Sequence, residues 1–141
     1  MTQAQREQFA AVRRALDGFV AKIADSPAEI NDNPAALRTW KPGAYAAGDV
    51  RSHAGIPYKC VQPHDSTDNP GWTPDTAPAL WMQYHGTTAD TARAWVAPTG
   101  AHDMYKAGEY MVWTDGVVYR CVRDTAYSPA DDPAAWEAIN V

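Results

Sequence analysis

The feature that most constrains this 141-residue chain is that its last hundred residues are written twice. YAAGDVRSHAGIPYKCV (Tyr45 to Val61) matches YKAGEYMVWTDGVVYRCV (Tyr105 to Val122). Tyr45, Gly48 and Asp49 align with Tyr105, Gly108 and Glu109; Tyr58, Cys60 and Val61 align with Tyr119, Cys121 and Val122 after one residue is added in the intervening turn. Further on, WTPDTAPALW (Trp72 to Trp81) matches YSPADDPAAW (Tyr127 to Trp136), so the second copy has a shorter loop after its cysteine. Trp40 and Trp95 open the two copies. A repeat at this period specifies two small units of one fold rather than a single large core.

Each copy has the grammar of a small antiparallel sheet. Tyr110 to Trp113, the turn Thr114-Asp115-Gly116 and Val117 to Val122 form a predicted hairpin, with Ala54-Gly55 as the equivalent turn in the first copy. A third short strand is expected near Trp81 and near Trp136. Ile56, Tyr58 and Cys60 alternate onto one face, as do Val117, Tyr119 and Cys121, which makes both cysteines buried small apolar residues. A unit of about 45 residues sits near the lower size limit for stability, so its large aromatics must supply core. Trp40, Tyr45, Tyr58, Trp81, Trp95, Tyr105, Tyr119 and Trp136 recur where such a sheet needs filling and are expected to be core or half-buried.

The segment before the repeat is of another kind. All 6 Trp and 7 Tyr lie at Trp40 or later, and both Phe lie before it, which sets a boundary there. Phe9, Val12, Leu16, Phe19 and Ile23 step by three and four, predicting one amphipathic helix from Gln3 to about Ala24. Its stripe either packs on its own domain or forms a short oligomerising seam. Ser26-Pro27-Ala28-Glu29 has the form of a helix start with Pro in the first turn, so a second short helix should run to about Asn31, and Asn33-Pro34 begins a connector. The fold class expected is therefore mainly β with an N-terminal α-helix: residues 1–39 as helix and connector, two tandem three-stranded antiparallel modules at 40–85 and 95–141, and a linker at 86–94, with the helix lying outside both modules.

Charge removes several functions. The net charge of −5 falls entirely after residue 39, because the first 39 residues hold five basic and five acidic side chains. Nucleic acid and anionic membranes are poor partners for such a surface. The sequence opens without an apolar leader, so synthesis in the cytoplasm is expected. His64-Asp65-Ser66-Thr67-Asp68-Asn69 lacks the spacing of a calcium loop, and Cys60 and Cys121 lack metal-ligand spacing, so no metal or other cofactor is expected. His53, His64, His85 and His102 have no repeated partner, and no acid–base or nucleophile constellation can be assembled, so the chain is read as a non-enzyme.

The twice-written pattern W…Y..GD.V…G..Y.C…P…LW resembles the chitin- and cellulose-binding modules of carbohydrate-binding families five and twelve, over roughly Trp40 to the end. WVAPTGAHDMYKAGE, together with YKCVQPHDSTDNPGWTPDTAPALW, is similar to a group of bacteriophage and prophage tail-region proteins with a helical segment before tandem modules. This resemblance implies a non-catalytic module of a virion tail, contacting a bacterial surface polysaccharide and other tail proteins as a homo-oligomer, with a trimer through the N-terminal helix as the expected assembly; the alternative is a purely structural tail or baseplate component. In the chitin-binding relatives a pair of adjacent aromatics commonly follows the second strand, where this chain has Gln62-Pro63 and Arg123-Asp124. That departure disfavours crystalline chitin or cellulose.

A different aromatic pair remains. Trp72 and Tyr127 occupy the same place in the two copies, each two residues before a Pro in a turn-rich loop. An aromatic face stacks on the C–H face of a pyranose and neighbouring carboxylates bond its hydroxyls, so Trp72 with Asp75, and Tyr127 with Asp131 or Asp132, are the candidate carbohydrate-binding residues. The alternative is that both rings cap the sheet.

Overall fold

A computed structural model describes residues 1–139. Helix α1 spans Gln3–Ile23, with Thr2 and Gln5 closing a reciprocal cap in which the Thr2 hydroxyl accepts from the Gln5 amide at 3.1 Å and the Gln5 side chain accepts from the Thr2 amide at 2.8 Å. Helix α2, Pro27–Asp32, starts at Ser26, and a 3₁₀ turn at Pro34–Ala36 ends the connector.

The first unit contains β1 (Ala44–Tyr45), β2 (Val50–His53), β3 (Ile56–Cys60), β4 (His64–Asp65) and β5 (Trp81–Gln83). Its main sheet has the antiparallel order β2-β3-β5, and β1 pairs separately with β4. The second unit contains β6 (Arg93–Ala94), β7 (Tyr110–Val112), β8 (Val118–Cys121) and β9 (Trp136–Ile139). Here the order is β6-β7-β8-β9, with β6 parallel to β7 and the rest antiparallel. The chain is thus mainly β with an N-terminal helix, as expected, but the second sheet has four strands and is mixed rather than three-stranded and purely antiparallel. The added strand has a counterpart in the first unit, where Thr39 makes a single parallel bridge to Ser52.

The repeat survives at the level of individual hydrogen bonds. Gly48 donates to the Cys60 carbonyl and Gly108 to that of Cys121; Cys60 donates to Asp49 and Cys121 to Glu109; Trp40 donates to Ser52 and Trp95 to Val112. Gly48 and Gly108 take φ of 94° and 91°, a region that only glycine occupies without strain, which is why both copies keep it. In the two hairpin turns Ala54-Gly55 and Gly116 likewise lie at positive φ.

Three apolar clusters hold the fold. Trp40, Tyr45, Tyr58, Cys60 and Trp81 fill the first unit; Tyr105, Met111, Cys121, Ala135 and Trp136 fill the second, with Trp95 and Tyr119 half-buried against them. The third cluster corrects the expectation that the helix stands outside the modules. Val20, Ile23, Ile30, Ala36 and Leu37 pack on Val50 of β2 and on Tyr84, whose hydroxyl donates to the Ala24 carbonyl. Ile23 is therefore core and Leu16 half-buried, leaving Phe9, Val12 and Phe19 as the exposed part of the stripe. The physical reason is that Val50 and Tyr84 offer an apolar patch on the first unit that its own few strands cannot cover.

Residues 86–94 are folded into the joint between units. Arg93 donates to the Tyr84 carbonyl and to Asn31 Oδ1, both at 2.7 Å, while Asn31 Nδ2 donates to the His85 carbonyl at 3.0 Å. The His85 ring stacks on Tyr105 at 3.7 Å between centroids and meets Glu109 at 2.9 Å. Gly86 accepts from the Tyr110 amide, and a Cβ at this position would lie 2.4 Å from the Thr91 carbonyl oxygen. Burial pulls the Arg93 guanidinium below its ordinary pKa, although an arginine stays charged. Arg93→Met leaves a main-chain carbonyl and a buried amide unpaired and is expected to cost about 2 to 4 kcal/mol, read from the urea midpoint. Gly86→Ala should be similarly damaging; an unchanged midpoint in both variants would show that the joint contributes nothing to stability.

Candidate functional site

The loop between β4 and β5 carries Trp72. Its backbone is fixed by a turn network in which Trp72 donates to the Asn69 carbonyl, Thr76 and Ala77 both donate to the Thr73 carbonyl, and the Thr76 hydroxyl donates to the Gly71 carbonyl. The Trp72 ring is 43% exposed, against 2% for Trp81 and 9% for Trp40, on a framework that has no freedom to bury it. Asp75 lies three residues on. Its carboxylate accepts from the Thr73 hydroxyl at 2.6 Å and sits 3.3 Å from His53 Nε2, so the loop is tied back to β2. The Thr73 hydrogen bond holds the Asp75 carboxyl below its ordinary pKa, and with 55% of the side chain exposed it retains acceptor capacity toward solvent.

The loop before β9 repeats this turn. Asp131 and Asp132 both donate their amides to the Ser128 carbonyl, as Thr76 and Ala77 do to Thr73, and Tyr127 stands where Trp72 stands. The Tyr127 ring is 64% exposed and has no side-chain hydrogen bond among the described residues. The loop is latched to the core by Trp136, whose indole donates to the Tyr127 carbonyl at 3.0 Å.

The two acidic candidates of the second copy are not equivalent to Asp75. Asp132 accepts from Arg123 at 2.6 Å and from the Thr125 hydroxyl at 2.9 Å, and those two bonds hold it below its ordinary pKa. It serves to brace the loop and has little left to offer a sugar hydroxyl. Asp131 is exposed and closes a weak 3.5 Å contact with the Ser128 hydroxyl. In the turn register Asp131 corresponds to Thr76 and Asp132 to Ala77, so no carboxylate in this copy stands where Asp75 stands. Both rings at the matched loop positions are exposed, and His53 escapes a reading of the sequence because its pairing with Asp75 links residues 22 apart and no spacing rule announces it.

In each copy the second hairpin strand, β3 or β8, ends in a buried cysteine. The Cys60 thiol donates to the Gln62 carbonyl at 3.1 Å and Cys121 to the Arg123 carbonyl at 2.9 Å, both side chains being 1% exposed. These bonds turn the chain at Gln62-Pro63 and Arg123-Asp124, the positions that lack an aromatic pair. No group of three metal-ligating side chains converges among the described residues.

Comparison with known proteins falls on the same region. Residues 39–82 match the model of carbohydrate-binding module family 5/12. Streptogrisin-C of Streptomyces griseus is 50% identical over 46 residues, which is 32% of this chain and 10% of that protein. Chitinase A1 of Niallia circulans is 50% identical over 39 residues, 28% of this chain and 5% of the enzyme, and chitinase D of the same organism is 43% identical over 47 residues, 33% and 9% respectively. The match thus spans a tenth or less of each of these relatives. The first unit is thus similar, over residues 39–82, to a chitin-binding-like carbohydrate-binding module, a family described as one of binding modules.

Burial also sets the behaviour of the thiols. It raises Cys60 above its ordinary value and pushes Cys121 up to about 11. A raised thiol pKa favours the protonated native state, so this contribution is complete below the ordinary 9.0 and is lost as pH climbs through 11. The native protein is expected to resist a thiol reagent at mildly alkaline pH and to react at both cysteines in denaturant, with the melting temperature falling above pH 9. Rapid labelling of the folded chain would mean that the cysteine cores open readily.

Proposed function

We propose that this chain is a non-catalytic polysaccharide-binding protein whose contact residues are Trp72, supported by Asp75, and Tyr127 in the second unit. The observation that carries the proposal is selective exposure. Six of the recurring aromatics, Trp40, Tyr45, Tyr58, Trp81, Tyr105 and Trp136, are buried, while the two rings at matched loop positions stand out at 43% and 64% on braced backbones. A small protein with so little core gains nothing in stability from an exposed indole, whereas a pyranose chain finds in it a flat apolar face beside a carboxylate. Against the missing aromatic pair at Gln62-Pro63 and Arg123-Asp124, the names of the chitinase relatives bring chitin back as a ligand to test, with Trp72 in place of that pair. Tyr127 extends the surface to a second point with weaker polar support.

In the finer form of this proposal, the polysaccharide belongs to a bacterial cell surface and the protein to a phage or prophage tail, where it would bind other tail proteins. Its support is the likeness of both copies and of the helical lead-in to tail-region proteins. Self-association belongs to the same proposal: Phe9 and Val12 are 65% and 58% exposed on the free half of α1, and several copies would array many weak sites into useful avidity. Light scattering on the intact chain should give an oligomer, with a trimer expected, and Phe9→Glu with Val12→Glu should give a monomer; a monomeric parent chain removes this part.

A single exposed ring with one or two water-competed hydrogen bonds supports affinity on the order of 0.1 to 1 mM per site. Trp72→Ala is expected to abolish retention on insoluble chitin and on bacterial wall fractions while leaving the melting temperature nearly unchanged. Trp81→Ala, which empties a core position, should destabilise by about 3 to 5 kcal/mol. If the Trp72→Ala protein folds and is retained like the parent, the rings are not the platform.

A further inference from the structure

Among the seven cations after residue 39 and the five before it, four converge. Arg13 of α1, Arg38 and Lys41 of the connector region and Arg51 of β2 line one cleft of about 560 Å³, together with Thr39 and Tyr45, and no carboxylate lines it. In a chain of net charge −5 this is a local inversion of sign. Asp17 stands behind the cleft and is shared by two of the cations: Arg13 Nε donates to Oδ1 at 3.0 Å and Arg38 grips Oδ2 at 2.9 Å. Arg13 also donates to the Ala36 carbonyl. Asp49 lies in the adjoining hollow, where its side chain accepts from the Ala46 amide. Even counting both acids, four positive groups face two negative ones.

Lys41 and Arg51 have no carboxylate partner among the described residues. Arg51 is instead held in place by neutral groups, donating to the Val50 carbonyl at 2.7 Å and lying 5.1 Å from the centre of the Tyr45 ring. Such holding pre-orients a guanidinium while leaving its charge uncompensated, the condition in which it recognises an oxyanion. Arg51 and His53 lie two residues apart on one face of β2, and His53 meets Asp75, which sits in the loop that carries Trp72.

We propose that this cleft binds an oxyanion substituent, phosphate diester or carboxylate, on the polysaccharide whose sugar ring stacks on Trp72. This rests on the proposed glycan contact and narrows the ligand to an anionic polymer. An open cleft lined by cations from α1, the connector and β2 suits a substituent carried along a chain rather than a small enclosed ion.

The test uses the full chain and three soluble probes, inorganic polyphosphate, polygalacturonate and neutral dextran, followed by amide chemical shifts. At low salt at least one polyanion should shift the amides of Gly43, Ala44 and Arg51, dextran should not, and raising the salt should weaken the response. A response to polyphosphate alone assigns a phosphate-bearing polymer, a response to polygalacturonate alone a carboxylate-bearing one, and a response to both an oxyanion of either kind. The double variant Lys41→Gln, Arg51→Gln should bind the active polyanion about tenfold more weakly and be retained on neutral chitin as the parent is. Trp72→Ala should show the reverse pattern, losing chitin and keeping the cleft shifts, so the two proposals fail separately. Absence of cleft shifts in the parent protein with both polyanions overturns the inference. So does a folded double variant that binds them like the parent.

Discussion

The arrangement of the whole chain depends on one partly buried guanidinium. Arg93 joins three parts that are remote in sequence: it holds Asn31 of α2, the Tyr84 carbonyl at the end of the first unit, and, through the backbone of its own strand, the second sheet. A charge removed from water in this way is costly unless every donor finds an acceptor. Here the acceptors are main-chain and amide oxygens, which satisfy it without adding a counter-charge. His85 on Tyr105 and Gly86 against Thr91 pack beside it with no room for a larger residue at position 86. The helix, the first unit and the second unit are consequently one body.

The helix completes that body by covering what the first unit leaves bare. Sheets of two or three short strands have two faces and too little chain to cover both. In the first unit one face is filled by Trp40, Tyr45, Tyr58 and Trp81, and Val50 on the other side of β2 is buried only because Val20 and Ile23 reach it. The lower half of α1 is thus part of the core, while its upper half carries Phe9 and Val12 in the open. One helix of continuous apolar spacing serves two purposes along its length.

What the sequence made legible follows the range of the interactions. The repeat with its glycines at 48 and 108, the helix from Gln3, the helix start at Ser26 and the eight recurring aromatics are local signals, and each is in place. The strand at Arg93–Ala94, the docking of α1 and the pairs His53–Asp75 and His85–Glu109 depend on residues brought together from more than a dozen positions apart. Trp72 and Tyr127 are legible as a matched pair because they repeat; the turn register, which sets Asp131 and Asp132 against Thr76 and Ala77 rather than Asp75, emerges only from the backbone hydrogen bonds. The basic cleft left no trace in sequence order, since its four cations are distributed over 39 residues.

The joint at Gly86 and Arg93 has a consequence for selection among ligands. Two recognition loops on a flexible tether adapt to any spacing, because the tether absorbs the difference at an entropic cost. If the glycan contacts proposed above are the right ones, Trp72 and Tyr127, fixed on one frame, act as the two points of a caliper. A polymer engages both only if its own geometry repeats at their separation, and a polymer of the wrong pitch is limited to one weak contact. On that proposal, discrimination between chains of identical sugars but different linkage would reside in the rigidity of the joint, far from either ring.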